Sequence, residues 1–327
     1  MKIKLTIAAA VSVAASALIP FQAFAKAPEY PADSIRIIVP FGAGGGTDAV
    51  ARMVASGLSE RLEIPVNVEN RPGAGGVIGH REIANAKTDG SVIGLMTSSL
   101  DSYQTLGRGD INYRSYSPIA LVNFDPAGIQ VSAKSEFDSL PQVLDALKSD
   151  PSKYTASASG IGGPWHVAWV KMLLSAEVNP SSVTFIPTTG AGPSLNELIA
   201  GAINFAPTSV AEATSLIQAG DVRSLAVMSS KRSPAFPEVP TVEEVTGLSV
   251  SAGVWRGFAG PKGMSADAAS ELTKQIKDIF ESESFQSKMS SLGYGLRWED
   301  QSGFEQFMAD AYDSTKKTLQ SAGLAKN

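Results

Sequence analysis

The chain alternates short, nearly continuous apolar runs with longer stretches in which apolar residues recur every three or four positions. The first run, residues 35–39, is β-branched with one polar interruption, as suits a strand covered on both faces. Pro40 cannot donate to a sheet ladder and should end that strand. Phe41-Gly42-Ala43-Gly44-Gly45-Gly46 follows, then Thr47 or Asp48 as a helix cap. Val50, Met53, Val54 and Leu58 next recur at helical spacing, facing a core. Further strands are predicted at 66–68, 92–96, 119–122, 129–131, 154–157, 183–186, 203–206 and 225–228. Helices are predicted after Ser139, from Trp165, from Ser194 and over 211–218. Residues 250–258 form another apolar run that should return the chain to its first half. Two C-terminal helices close it, one capped by Ser265 and one carrying Phe304, Phe307, Met308 and Tyr312. The unit of strand, glycine-rich turn and helix recurs four times, with turns near 41–47, 70–79, 158–164 and 188–193. This alternation predicts an α/β protein with mostly parallel sheets and ligand loops at the carboxyl ends of the strands.

Residues 1–25 read as an export signal rather than as fold: Lys2 and Lys4, an apolar stretch over 5–19, then Ala23-Phe24-Ala25 as a cleavage site. The mature chain, beginning at Lys26, is thus expected in the periplasm. Loss of two lysines leaves 25 basic against 32 acidic residues, so the formal charge moves from −5 to −7. With no basic cluster, nucleic acid is not an expected partner. The absence of cysteine removes disulfides and thiolate chemistry. About 300 mature residues exceed one comfortable core, so two lobes are expected.

Four chemistries compete for the glycine turns. Gly44-Gly45-Gly46-Thr47-Asp48-Ala49 fits the loose dinucleotide pattern, with Glu69 where a ribose ligand would stand, but an exported protein meets little nicotinamide cofactor. No Gly-Lys-Ser/Thr marks a P-loop. A serine hydrolase would use Ser159 with His166, although Ala156-Ser157-Ala158-Ser159-Gly160 lacks the first glycine of a nucleophile elbow. Only two histidines are present, so no metal site is expected and no cofactor is implied. What remains is binding: four turns that converge on a cleft offer backbone N–H groups and helix N-termini, natural partners of an anion such as a carboxylate.

The chain also resembles the solute-binding proteins of tripartite tricarboxylate transporters, the TctC or Bug family. The resemblance spans the mature chain. It rests on Tyr30-Pro31 leading into residues 35–48, Val68-Glu69-Asn70-Arg71-Pro72-Gly73-Ala74-Gly75-Gly76, Asp89-Gly90, residues 160–166, Gly190-Ala191-Gly192-Pro193 and Val239-Pro240-Thr241-Val242-Glu243-Glu244. It implies a two-lobed periplasmic-binding-protein (Venus flytrap) fold, each lobe a mostly parallel sheet flanked by helices. The first lobe would comprise 26–127 with 250–327 and the second 128–249. It implies a non-enzymatic role: capture of a small aliphatic or aromatic carboxylate, and delivery to a two-subunit membrane permease. A sensor kinase is a further partner that the resemblance leaves open, and a monomer is expected. Carried over, the ligand site would include Phe41, Gly42, Gly45, Thr47, Asp48, Gly75, Gly76, Ser157, Ser159, His166, Thr188, Gly190 and Thr208. Two departures stand out: Thr188-Thr189 replaces Tyr-Lys, and Thr208 replaces an acid that would receive a ligand amine. Trp165 is a candidate to flank the ligand, and Arg71 and Arg256 are the cations nearest the first turn.

Overall fold

The computed structural model describes residues 30–326; the expected signal segment and its cleavage point lie outside them. The first half runs β1 (Ile35–Val39), α1 (Gly46–Leu62), β2 (Val66–Asn70), α2 (Val77–Ala84), β3 (Val92–Thr97) and β4 (Tyr116–Pro126). The chain then builds β5 (Gly128–Ser132), α3 (Leu140–Ser149), β6 (Thr155–Ala156), α4 (Pro164–Ser175), β7 (Thr184–Phe185), α5 (Ala191–Ile199), α6 (Val210–Gln218), β8 (Val222–Val227) and α7 (Val242–Thr246). It closes with β9 (Gly253–Pro261), α8 (Ala266–Glu281), α9 (Glu283–Ser291), β10 (Leu296–Glu299) and α10 (Gln301–Ser321).

One sheet has the order β10-β4-β9-β3-β1-β2. β1 pairs in parallel with β2 and β3, whereas β9 runs antiparallel to β3 and β4, and β10 antiparallel to β4. Four of its strands therefore share a direction, and the late strand β9 lies between two early ones. β1 is buried on both faces, as its apolar run requires. Ile35, Ile37 and Val39 pack with α1 and α8, while Ile38 packs on the opposite side with Val77, Phe304 and Met308.

The second sheet is assembled from short pieces. β6 and β7 are parallel, and β5 and β8 antiparallel. Phe205 and Ala206 join the two pairs by isolated bridges to Ala156 and Gln130. The predicted strand over 203–206 is thus a two-residue link. Its core gathers Trp165, Trp169, Phe205, Leu173 and Val143. Trp165, a candidate to flank the ligand, is 4% exposed and packs in that core with Trp169.

Two lobes result, and residues of one touch the other at several points. Arg108 Nη2 donates to Ile161 O at 2.6 Å. A Cβ on Gly293 would stand 3.3 Å from Ala211 Cα. Lys171 of α4 donates to Ser251 O and to Ser314 Oγ of α10, at 2.9 and 3.1 Å.

Candidate ligand-binding site

The turn after β1 is the first element of the site. Helix α1 begins at Gly46, one residue before the expected caps, with Gly45 as N-cap in extended geometry (φ −82°, ψ 170°). Ala49 N–H closes the first turn onto Gly45 O at 3.0 Å, leaving the preceding amides at the positive end of the helix dipole. Gly42 and Gly45 stand in open space: a Cβ on Gly42 would meet nothing within 4 Å, and one on Gly45 only Gly42 O at 3.8 Å.

Side chains of the same stretch hold the turn rather than line it. Asp48 Oδ2 accepts from Gly44 N at 2.9 Å and from Arg52 Nε at 3.0 Å, and its Oδ1 accepts from Asn70 at 3.0 Å. Burial alone would raise the Asp48 carboxyl. The hydrogen bonds from Arg52, Gly44 and Asn70 outweigh burial and hold it below the usual carboxylate range. Asn70 also donates to Phe41 O at 3.0 Å, tying the end of β2 to the turn. Thr47 Oγ1 accepts from Arg256 Nε at 3.2 Å.

Arg256 lies in the middle of β9, 3% exposed, directly beneath the start of α1. Its Nη1 donates to Asp125 and to Asn123. Asp125 in turn accepts from Asn123 Nδ2 at 2.9 Å and from Gly295 N at 2.8 Å. A buried arginine survives only when paired and hydrogen-bonded, and this one has three partners. Arg71 is likewise committed, bridging Glu69 and Glu82 in a surface network shared with Arg36. The same network occupies Glu69, the residue the dinucleotide pattern would have reserved for a ribose.

The second turn of this lobe carries Gly75, which is exposed, and Gly76, which is buried against Phe41 and Tyr103. In the other lobe three hydroxyls meet at the start of α5. Ser157 Oγ lies 3.0 Å from Ser194 Oγ and 3.3 Å from Thr188 Oγ1, which is itself 2.6 Å from Ser194. Gly190 is the N-cap there and accepts from Ser194 Oγ at 3.1 Å. Ser194 was not among the expected site residues; its place four residues beyond the helix-capping Gly190 was the available signal.

Ser159 and His166 are neighbours without the geometry of a nucleophile and its base. Ser159 Oγ accepts from the His166 backbone N–H at 3.4 Å, while His166 Nδ1 accepts from Gly162 N at 3.1 Å. Burial, reinforced by Arg108, pushes the imidazole down to about 4, so it is neutral with its proton on Nε2. Thr208 stands apart from the hydroxyl trio; its carbonyl accepts from Gly128 N at 2.7 Å and from Gln130 at 3.1 Å. The thirteen expected residues thus fall into a first-lobe group around α1 and the 73–76 turn and a second-lobe group around α4 and α5, with Thr208 separate. Among the described residues no group of three metal-ligating side chains occurs, and no helix is long and apolar enough to cross a membrane.

Known proteins carry the same architecture. Residues 50–324 match the tripartite tricarboxylate transporter family receptor. A UPF0065 protein from the tcbD–tcbE intergenic region of a Pseudomonas species is 30% identical over 89% of this chain and 85% of its own length. The crystal structure of a TctC solute-binding protein from Polaromonas is 30% identical, covers 90% of this chain and 100% of that one, and superposes with a TM-score of 0.76. A Rhodopseudomonas palustris protein solved with adipate shares the fold at 22% identity, with a TM-score of 0.81 over 91% of this chain and 99% of that one. Matched by that family model over most of its length, the chain belongs to the tripartite tricarboxylate transporter family of receptors.

Proposed function

We propose that the protein captures a small carboxylate between its lobes and hands it to a two-subunit membrane permease. The observation that carries this reading is the turn after β1. It presents backbone amides at a helix N-terminus beside glycines with open space, while Arg52, Arg71 and Arg256 are committed to Asp48, Glu69, Glu82 and Asp125. Such a turn suits an anion that accepts several short charge-assisted bonds, each worth about 1.5–3 kcal/mol. The hydroxyls of Ser157, Thr188 and Ser194 at the start of α5, with neutral His166 at the start of α4, supply the opposing wall. Phe41, Gly42, Gly45, Gly75 and Gly76 belong to the first wall, with Thr47 and Asp48 shaping its turn, and Ser159, Gly190 and the more distant Thr208 are assigned to the second.

The lobe limits, 26–127 with 250–327 and 128–249, belong to this reading; strand pairing supports them, since β9 returns to the first sheet after β8. So does export: the chain is read as periplasmic once the segment through Ala25 is removed. Native mass spectrometry of purified protein should reveal a retained anion. Titration calorimetry with adipate, malate and benzoate then ranks aliphatic against aromatic carboxylates. Recovery of a cationic or uncharged ligand, with no heat from any of the three, would refute the proposal.

A further inference from the structure

The turn that carries Gly75 is built from four consecutive residues with positive φ: Gly73 (132°), Ala74 (49°), Gly75 (65°) and Gly76 (99°). Ala74 has a Cβ and is strained in this region, so something must hold the turn in place. The turn's own bonds, Gly76 N to Gly73 O at 2.9 Å and Val77 N to Ala74 O, do not reach Gly75. Gly75 O instead accepts from Tyr103 OH at 2.9 Å. Tyr103 is 1% exposed, and its oxygen also lies 2.9 Å from Nδ1 of His80, which is fully buried.

The proton assignment follows from the inventory of donors. A carbonyl accepts only, so the single Tyr103 hydroxyl proton goes to Gly75 O. For both bonds to hold, His80 must carry its proton on Nδ1 and donate it to the Tyr103 oxygen. Its Nε2 is then a bare acceptor, and no partner reaches that atom. Burial pushes His80 down to about 3, so the ring stays neutral across the working range of pH. The pair also touches the other first-lobe turn. Phe41 meets His80 edge-on at 6.5 Å between ring centroids, and a Cβ on Gly76 would lie 2.6 Å from Tyr103 OH and 2.9 Å from Phe41 Cζ.

We infer that His80 and Tyr103 are positioning residues for the ligand site: a relay from His80 Nδ1–H to Tyr103 O–H to Gly75 C=O clamps the left-handed 73–76 turn beside Phe41. The importance of the clamp for binding rests on the site proposed above; the clamp itself does not, so its test begins without ligand. In ¹⁵N NMR of the free protein, His80 should be the neutral Nδ1–H tautomer at pH 7, and should remain so at pH 5. In Tyr103→Phe, amide hydrogen exchange at residues 74–77 should quicken at least ~10-fold, about 1.4 kcal/mol, with β1 and β3 amides unchanged. Affinity for the adipate probe should fall by a similar factor. His80→Asn, whose side-chain amide nitrogen stands where Nδ1 does, should restore part of the protection that His80→Leu loses. A proton on Nε2 in the wild type, or unchanged exchange at 74–77 in Tyr103→Phe, would overturn the inference. Were Tyr103→Phe not to fold, the wild-type tautomer and the His80 pair decide it. A confirmed clamp with no adipate heat in the wild type would count against the carboxylate reading and leave the clamp standing.

Discussion

The two walls of the candidate site use the same unit, a strand, a glycine turn and a helix N-terminus, but they are locked by different chemistry. The first-lobe wall is locked by charge: Asp48 with Arg52 and Asn70 above, Arg256 with Asp125, Asn123 and Thr47 below. The second-lobe wall is locked by neutral groups, the Ser157–Thr188–Ser194 hydroxyls and an uncharged His166. The difference teaches that charge near a site need not be charge offered to a ligand. In the first lobe every ionic group named is spent on fixing backbone, which costs no reorganisation when an anion arrives. Hydroxyls, which rotate between donor and acceptor roles, make the second wall the adaptable one.

The largest test of this contrast is to remove one lock from each wall. Arg256→Leu leaves Asp125, 2% exposed, without its cation and should cost about 3–5 kcal/mol of stability in urea unfolding. Ser194→Ala should cost only about 1 kcal/mol. Equal losses would erase the distinction between the walls.

Binding separates backbone from side-chain anchoring. Gly45→Val adds bulk at an extended residue with open space beside it, so the fold should persist while affinity drops at least ~10-fold, about 1.4 kcal/mol. Arg71→Gln, altering only a surface network, should leave calorimetric affinity within ~2-fold. Loss of binding in Arg71→Gln with retention in Gly45→Val would make a cation, not the turn, the anchor.

Glu212, in the first turn of α6, sharpens the comparison where the lobes meet. Burial, with Asp125 adding to it and Arg256 opposing, pushes its carboxyl up to about 7 from an ordinary 4.5. A raised carboxyl favours the folded state fully below pH 4.5, and that stability is lost as pH rises through about 7. Relative to Glu212→Gln, the wild type should therefore lose about 1 kcal/mol between pH 5 and 8, after allowance for the carboxylate's partial contact with solvent. A difference between the two proteins that does not vary with pH would place Glu212 in ordinary solvent. The smallest effect is expected from salt: raising NaCl from about 0.05 to about 0.5 M should change ligand affinity less than ~2-fold, because fixed dipoles in a closed crevice are weakly screened. A steep fall would point to an exposed ion pair.

Much of this arrangement was legible along the chain. The β-branched run at 35–39 announced β1, and the stop at Pro40 and the glycines after it announced the turn, because each preference resides in residues that are neighbours. Ser265 as a cap announced α8 in the same way, and Leu272, Ile276 and Ile279 form its buried stripe. Arg256 was harder. It sits in an apolar run near the first turn, but its partners Asn123, Asp125 and Thr47 are 133, 131 and 209 residues away. A lone arginine inside a core strand was the clue that it must be paired. His80 and Tyr103 were equally opaque, since nothing local says that a buried imidazole will lie under a glycine turn.

The sequence by itself determined most of the strands and helices, where glycine must turn the chain, and the absence of thiolate chemistry, all through steric and solvation preferences of adjacent residues. Only the tertiary structure decided that β9 runs against β3 and β4, that Trp165 belongs to a core, and that the arginines near the first turn are already spent. Those outcomes depend on which distant groups are buried together, and burial removes the water that would otherwise have satisfied each of them alone.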